Sequence, residues 1–212
     1  PNQLHGTCTG CSGFTGEGID PEVARIVGYD DAQWFNGVDT SVDTGIAWYR
    51  PSTWAWEAEI YLSSLPTGSD GLIGSGGSQG ENFYVTSSGY LGLFVATRIS
   101  YISTVSVPLG RLTTVRVERT LAGNAKFYVD GSLMLDTTIL SPNSHTDPVI
   151  VGKFSTGGNY FKGLIKSASW EASGVPIVEW TDTNGLGTPS GTFLTVGQKR
   201  ATIPQTADKN WN

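Results

Sequence analysis

Two glutamates one residue apart, Glu57 and Glu59 in Trp56-Glu57-Ala58-Glu59-Ile60-Tyr61-Leu62, have the spacing in this chain best suited to carboxylate chemistry. On an extended strand residues i and i+2 share a face. Both carboxylates and Tyr61 then stand together, opposite Trp56, Ala58, Ile60 and Leu62. Buried, such a pair would repel and raise one pKa; left in water it is ordinary solvated surface. A second constellation, Asp39-x-Ser41-x-Asp43-x-Gly45, begins like an oxygen-ligand loop, but Arg50 stands where the closing Glu belongs. Asp39 and Asp43 are the candidate metal ligands; calcium is the one ion left open, and no other cofactor is expected. Asp182 and Asn184 form a weaker second candidate. The thiols, Cys8 and Cys11, lack the second pair of a zinc ribbon and precede a loop rather than a helix. His145 sits in a loop-forming Ser-Pro-Asn-Ser-His-Thr-Asp-Pro stretch, with no nucleophile in an elbow context. No Gly-x-Ser-x-Gly elbow, phosphate loop or His-rich zinc motif occurs.

These groups must be held by strands. Short β-patterned runs separated by Gly, Pro, Asn and Ser clusters extend from Trp34 to Trp170, the spacing of a sandwich. Asn82 to Thr86 and Tyr90 to Thr97 flank Ser87-Ser88-Gly89, a three-residue hairpin loop. Val115 to Arg119 turns through Ala122-Gly123-Asn124 into Lys126 to Val129, and Asp130-Gly131 then signals a type I′ turn, which needs positive φ at both positions. The wet faces carry Arg116 and Glu118, and Lys126 and Tyr128, beside Glu57, Glu59 and Tyr61. Helical periodicity is confined to one turn beginning at Asp20-Pro21. The pattern predicts an all-β fold, an antiparallel two-sheet jelly-roll sandwich with minimal helix. Residues 1–171 form the sandwich, and residues 172–212 supply strands and loops that wrap the same domain or dock on a partner.

Composition narrows the partners. The chain has 212 residues, 15% of them charged, with a net charge of −6 and 28 glycines, nearly twice the usual ~7%. Ser and Thr make up about a fifth of it. The 13 Lys and Arg are scattered, so no basic face exists to displace counterions and nucleic acid is not an expected partner. No apolar run approaches the ~20 residues of a membrane span, so no membrane partner is expected, and no export signal is visible.

The order of motifs resembles the laminin-G-like, concanavalin A-like family of β-sandwiches. Asn2 to Thr7 is similar to its opening N-x-x-x-G-T segment, and Trp34 to Asp43 to its F-x-G-x-D-x-x-V strand pair. Ser52 to Ile60 loosely matches S-F-T-x-x-x-W-V. Phe127-Tyr128-Val129-Asp130-Gly131 resembles its Y-V-D-G hairpin, followed by Val151-Gly152 and Phe161-Lys162-Gly163-Leu164-Ile165. The fold hosts lectins, glycanases and inert modules, so it does not by itself assign a function. The resemblance implies ligand binding on one outer sheet face or on the rim loops. Sugar sites use aromatic planes together with fixed polar groups. Trp34, Trp56 and Trp170 read as core; Trp48, Tyr49, Trp54 and Tyr101 are the expected exposed rings, to be joined by Glu57, Glu59 and Tyr61. Glycanases of this architecture resemble one another in E-x-D-x-x-E or E-x-D-x-E. Glu17 to Glu22 and Glu179 to Asp182 lack the spacing of two, so no catalytic residue is expected.

The expectation is a non-enzymatic recognition module that binds a glycan or surface receptor. Low charge and abundant Ser, Thr and Gly suggest a virion setting (phage tail, fibre or capsid surface, assembled in the host cytoplasm) or an extracellular one. The alternatives are a virion decoration protein that binds only other subunits and a glycan-degrading enzyme. The loop-rich tail with Trp180 and Trp211 leaves a homo-oligomer open.

Overall fold

The computed structural model describes residues 33–47, 52–75, 80–95, 99–139, 147–154, 158–181 and 192–195. Cys8, Cys11, the turn at Asp20, Trp48, Tyr49, His145, Asp182 and Asn184 lie outside them. The described residues form fourteen strands: β1 (Gln33–Asn36), β2 (Val42–Ala47), β3 (Trp54–Tyr61), β4 (Asp70–Ser75), β5 (Glu81–Val85), β6 (Tyr90–Val95), β7 (Ile99–Ser106), β8 (Leu112–Arg119), β9 (Asn124–Val129), β10 (Ser132–Thr138), β11 (Pro148–Val151), β12 (Lys162–Ala172), β13 (Val175–Thr181) and β14 (Thr192–Thr195). Among the described residues no helix is long and apolar enough to cross a membrane.

Strand pairing is antiparallel throughout and divides the chain into two sheets. The eight-stranded sheet runs β10-β9-β8-β3-β12-β13-β14, with β1 also on β12; the six-stranded sheet runs β2-β11-β4-β5-β6-β7. This is the all-β antiparallel sandwich that the alternation predicts. β1 and β13 share one edge of β12, β1 against Lys162 to Ile165 and β13 against Ser167 to Ala172. β13 and β14 therefore carry the eight-stranded sheet past residue 172.

Period-two alternation sets the interior. Trp54, Trp56, Ala58 and Ile60 of β3 are buried, as are Val115 and Val117 of β8 and Ala125, Phe127 and Val129 of β9. From the other layer come Leu72 and Ile73, Phe83 and Val85, and Leu91, Leu93 and Val95. Burying a large apolar side chain contributes ~1.5–3 kcal/mol, so these facing rows clamp the two sheets together and fix which side of each strand meets water.

Local turn chemistry holds where the sequence signals it. Asp130 and Gly131 take φ of 48° and 74°, both positive, and the Asp130 carboxylate accepts the Thr114 N–H at 3.0 Å. Gly89, with φ of 81°, closes the β5–β6 hairpin, where the Thr86 N–H donates to the Tyr90 carbonyl at 2.8 Å.

Two elements depart from the sequence pattern. Trp34 to Asp43 is not a pair of neighbouring strands, because β1 and β2 lie in different sheets. The Asn36 Oδ1 accepts the N–H groups of Val38, Asp39 and Thr40 and turns the chain from one layer to the other. β4, Asp70-Gly71-Leu72-Ile73-Gly74-Ser75, is buried at every position, a strand that the alternation does not single out. At Gly71 a Cβ would collide with the backbone of Lys153 and Phe154, so glycine there answers a packing demand.

Candidate functional site: a polar cleft on the outer face of the large sheet

The outer face of the eight-stranded sheet is ordered by register. Arg116 of β8 lies opposite Tyr128 of β9 on one side and Glu57 of β3 on the other, and Glu57 lies opposite Ser169 of β12. The next outward row sets Lys126, Glu118, Ala55 and Glu171 side by side. A concavity of about 590 Å³ opens over these rows, lined by Glu57, Thr114, Arg116, Glu118, Tyr128 and the Asp130-Gly131 turn.

Arg116 organises it. Its Nε donates to Glu118 Oε2 at 3.4 Å, Nη1 to Glu57 Oε2 and Glu171 Oε1 at 3.3 Å each, and Nη2 to Glu171 Oε2 at 3.2 Å. Burial works against the guanidinium charge, but the Glu171 hydrogen bond and the charges of Glu171, Glu57 and Glu118 outweigh it and hold the group above its ordinary range. The Tyr128 hydroxyl donates to Glu118 Oε1 at 2.7 Å. Desolvation first, then the hydrogen bond and charge of Glu118, pushes that phenol up to about 12, so it stays a neutral donor. The result is a pre-oriented network: a half-buried phenol ring beside carboxylate oxygens fixed by one cation. Such a surface can offer a flat apolar face and directed hydrogen bonds to a polyhydroxylated ligand.

Of the sequence-predicted residues, Glu57 is in the cleft. Glu59 shares its face but pairs with Lys166 at 3.6 Å, so each glutamate of the i, i+2 pair has its own cation. Tyr61 is half-buried on β3, beyond the cleft lining. Trp54 is not an exposed ring. It is 2% exposed and its ring lies 5.2 Å from that of Trp56, because residues 54 and 56 share strand parity and the inward face. Tyr101 lies opposite the buried Leu93 and packs against the core rather than standing on a rim. Trp48 and Tyr49 lie outside the described residues, as does the Asp43 side chain.

Asp39 does not sit on a strand with Asp43. It falls in the turn before β2, where its Oδ1 accepts the Asn36 amide at 2.7 Å. Among the described residues no group of three His, Cys, Asp or Glu side chains could hold a metal ion. The carboxylates that do converge already surround a guanidinium.

Alternation puts Arg116, Glu118 and Tyr128 on a wet face without joining them to Glu57; it marks Asp130 only as a turn residue, and nothing in the sequence singles out Thr114 or Glu171. Alternation gives the face of each residue. The juxtaposition depends on β8 pairing with β3 and β3 with β12, across long stretches of sequence.

The family model of the concanavalin A-like lectin/glucanases superfamily matches residues 36–170. Among solved structures, the chain is similar to the CBM40 of a Ruminococcus gnavus IT-sialidase, determined bound to α2,3-sialyllactose: TM-score 0.51, 13% identity, covering 63% of this chain and 85% of that one. It is similar to a Bacteroides ovatus protein assigned to carbohydrate binding, with TM-score 0.54 and 14% identity, covering 82% of this chain and 62% of that protein's length. A SAP-like pentraxin from Limulus polyphemus, which is heptameric, gives TM-score 0.53 and 14% identity, covering 78% and 92%. No curated protein matches in sequence. At such identities the likeness is one of fold. The family match, in contrast, spans most of the sandwich, from the end of β1 to Trp170 of β12, and with it the strands that build the cleft: the chain belongs to the concanavalin A-like lectin/glucanase superfamily.

Proposed function

We propose that this chain is a non-catalytic carbohydrate-recognition module whose sugar site is the Arg116 cleft. One observation carries the reading: a half-buried Tyr128 ring and a set of carboxylates oriented by Arg116 share a single concavity on an outer sheet face. The sugar-binding relatives of the same fold support it. The tethering of Glu57 to Arg116 and of Glu59 to Lys166 favours positioning over bond cleavage, since a retaining pair needs two carboxylates about 5–5.5 Å apart sharing one substrate. The proposal extends to the setting, the surface of a virion or an extracellular location, where the glycan belongs to a surface receptor.

The test is a glycan array with the purified chain, followed by titration of Tyr128→Ala against the best ligand. Loss of roughly tenfold in affinity with an unchanged melting temperature is expected, since truncating a central aromatic of a binding surface costs more than ~1 kcal/mol. Undiminished binding by the variant, or reducing-sugar release by the wild type, would overturn the reading. A second reading, a virion subunit that binds only protein, is favoured by Val105 and Leu133, which are 47% and 53% exposed on two strands that meet where the Thr104 hydroxyl donates to the Met134 carbonyl. Silence on the array with tight binding to a shell or tail protein selects it.

A further inference from the structure

We infer that the cleft is charge-selective: it takes a sugar bearing a free amine and turns away carboxylated and sulfated glycans. The inference rests on the sugar-site reading above and adds the class of ligand. Three carboxylates (Glu57, Glu118 and Asp130) and one guanidinium, Arg116, line the concavity, with Glu171 bonded to Arg116 and Arg111 to Asp130 beside it, and Lys126 paired with Asp136 at 3.9 Å. Arg116 is the cation an anionic sugar would need, and it is already engaged: four of its five N–H bonds go to Glu57, Glu118 and Glu171. Arg111 is held by Asp130 Oδ2 at 2.6 Å. To take Arg116, an incoming carboxylate or sulfate would have to displace these partners and leave a carboxylate unpaired in a concave, partly desolvated place; elsewhere in the cleft it meets the carboxylates of Glu57, Glu118 and Asp130.

The acceptors are not all used. Each oxygen of Glu118 already accepts one donor, from Arg116 or Tyr128, each of Glu171 one from a terminal nitrogen of Arg116, and each of Asp130 one from Thr114 or Arg111. Glu57 gives Oε2 to Arg116, while its Oε1 makes no hydrogen bond among the described residues. Its side chain is 39% exposed and lines the cleft. An ammonium group at that oxygen would form a charge-assisted hydrogen bond, about twice as strong as the neutral one an N-acetyl or hydroxyl group offers. Tyr128, kept neutral by desolvation and then by its partner Glu118, adds no negative charge of its own.

Matched oligosaccharides decide it: glucosamine oligomers, their N-acetylated counterparts and galacturonate oligomers, titrated into the full chain by calorimetry beside an array that spans other hexose stereochemistries. The amine-bearing form is expected to bind roughly tenfold more tightly than the N-acetylated form, and galacturonate not detectably. Glu57→Gln should make the amine and N-acetyl forms bind alike. Asp147→Asn, which removes the same charge from an exposed position next to β11 in the other sheet, should keep the tenfold difference, whereas diffuse attraction to an acidic chain would weaken equally in both variants. Equal or tighter binding of a carboxylated glycan that Tyr128→Ala abolishes would overturn the charge inference and leave the sugar site standing. Absence of binding to glycans of every charge would instead remove the sugar site, and this inference with it.

Discussion

Asp70 shows how much one side chain can do outside the cleft. It opens β4 in the six-stranded sheet, and its Oδ2 accepts the backbone N–H of Lys162, the first residue of β12 in the other sheet, at 3.1 Å. One carboxylate thus ties the two layers at their end. Burial pushes it up to about 6 from 3.8, against the pull of the Lys162 N–H and charge. A carboxyl whose folded pKa is raised contributes stability that is fully present below its unfolded value and is lost as pH rises through about 6. Asp70→Asn keeps an acceptor for the Lys162 N–H and never ionises. Its melting free energy relative to wild type should therefore rise by roughly 2 kcal/mol between about pH 4 and about pH 7. A pH-independent difference would show that Asp70 is solvated. Nothing in the sequence distinguishes Asp70 from other loop-flanking aspartates, because its partner is a backbone group 92 positions away. Trp54 is the opposite case: its parity with Trp56 already marks the inward face.

At the scale of elements, legibility follows sequence distance. The β5–β6, β8–β9 and β9–β10 hairpins close within a few residues, so Gly89, Gly123 and Asp130-Gly131 announce them. The connection from β11 toward β12 is instead set by packing. Gly152 has φ of 83°, its N–H donates to the Leu72 carbonyl at 2.8 Å, and a Cβ there would collide with the buried Phe35 ring. Phe35 in turn meets Phe161 edge-on at 6.3 Å. Gly152→Ala must therefore both strain the backbone and displace a core ring. A loss of about 3 kcal/mol is expected, read as a shifted urea midpoint with unchanged slope. Gly110→Ala is the control, since it has a similar φ of 74° but open space around the missing Cβ, and should lose about 1 kcal/mol. Equal losses would mean that the Phe35 contact is not what demands glycine.

The whole molecule is two layers whose edges need cover. β13 and β14 extend the eight-stranded sheet beyond β12, so removing residues 173–212 would bare the edge of Ser167 to Ala172 that faces away from β3. Unpaired edges recruit other chains, and the truncated protein should aggregate or melt lower on size-exclusion chromatography and thermal scans; an unchanged monomer would show that the edge is protected without those strands. The acidic balance, −6 over the chain, sits with a cleft where carboxylates outnumber guanidinium groups, which is why the charge of a ligand is decisive here.

Sequence alone determined that this chain would be antiparallel β, which side of β8 and β9 and of β3 from Trp56 onward faces inward, and where the short hairpins turn, because those depend on period-two alternation and on residues that tolerate positive φ. It could not determine that Arg116 stands between Glu57 and Tyr128, that β1 and β2 part into different sheets, or that the glycines of β4 belong to a buried strand. Those are facts of strand order and layer packing, set by contacts between residues far apart in the chain.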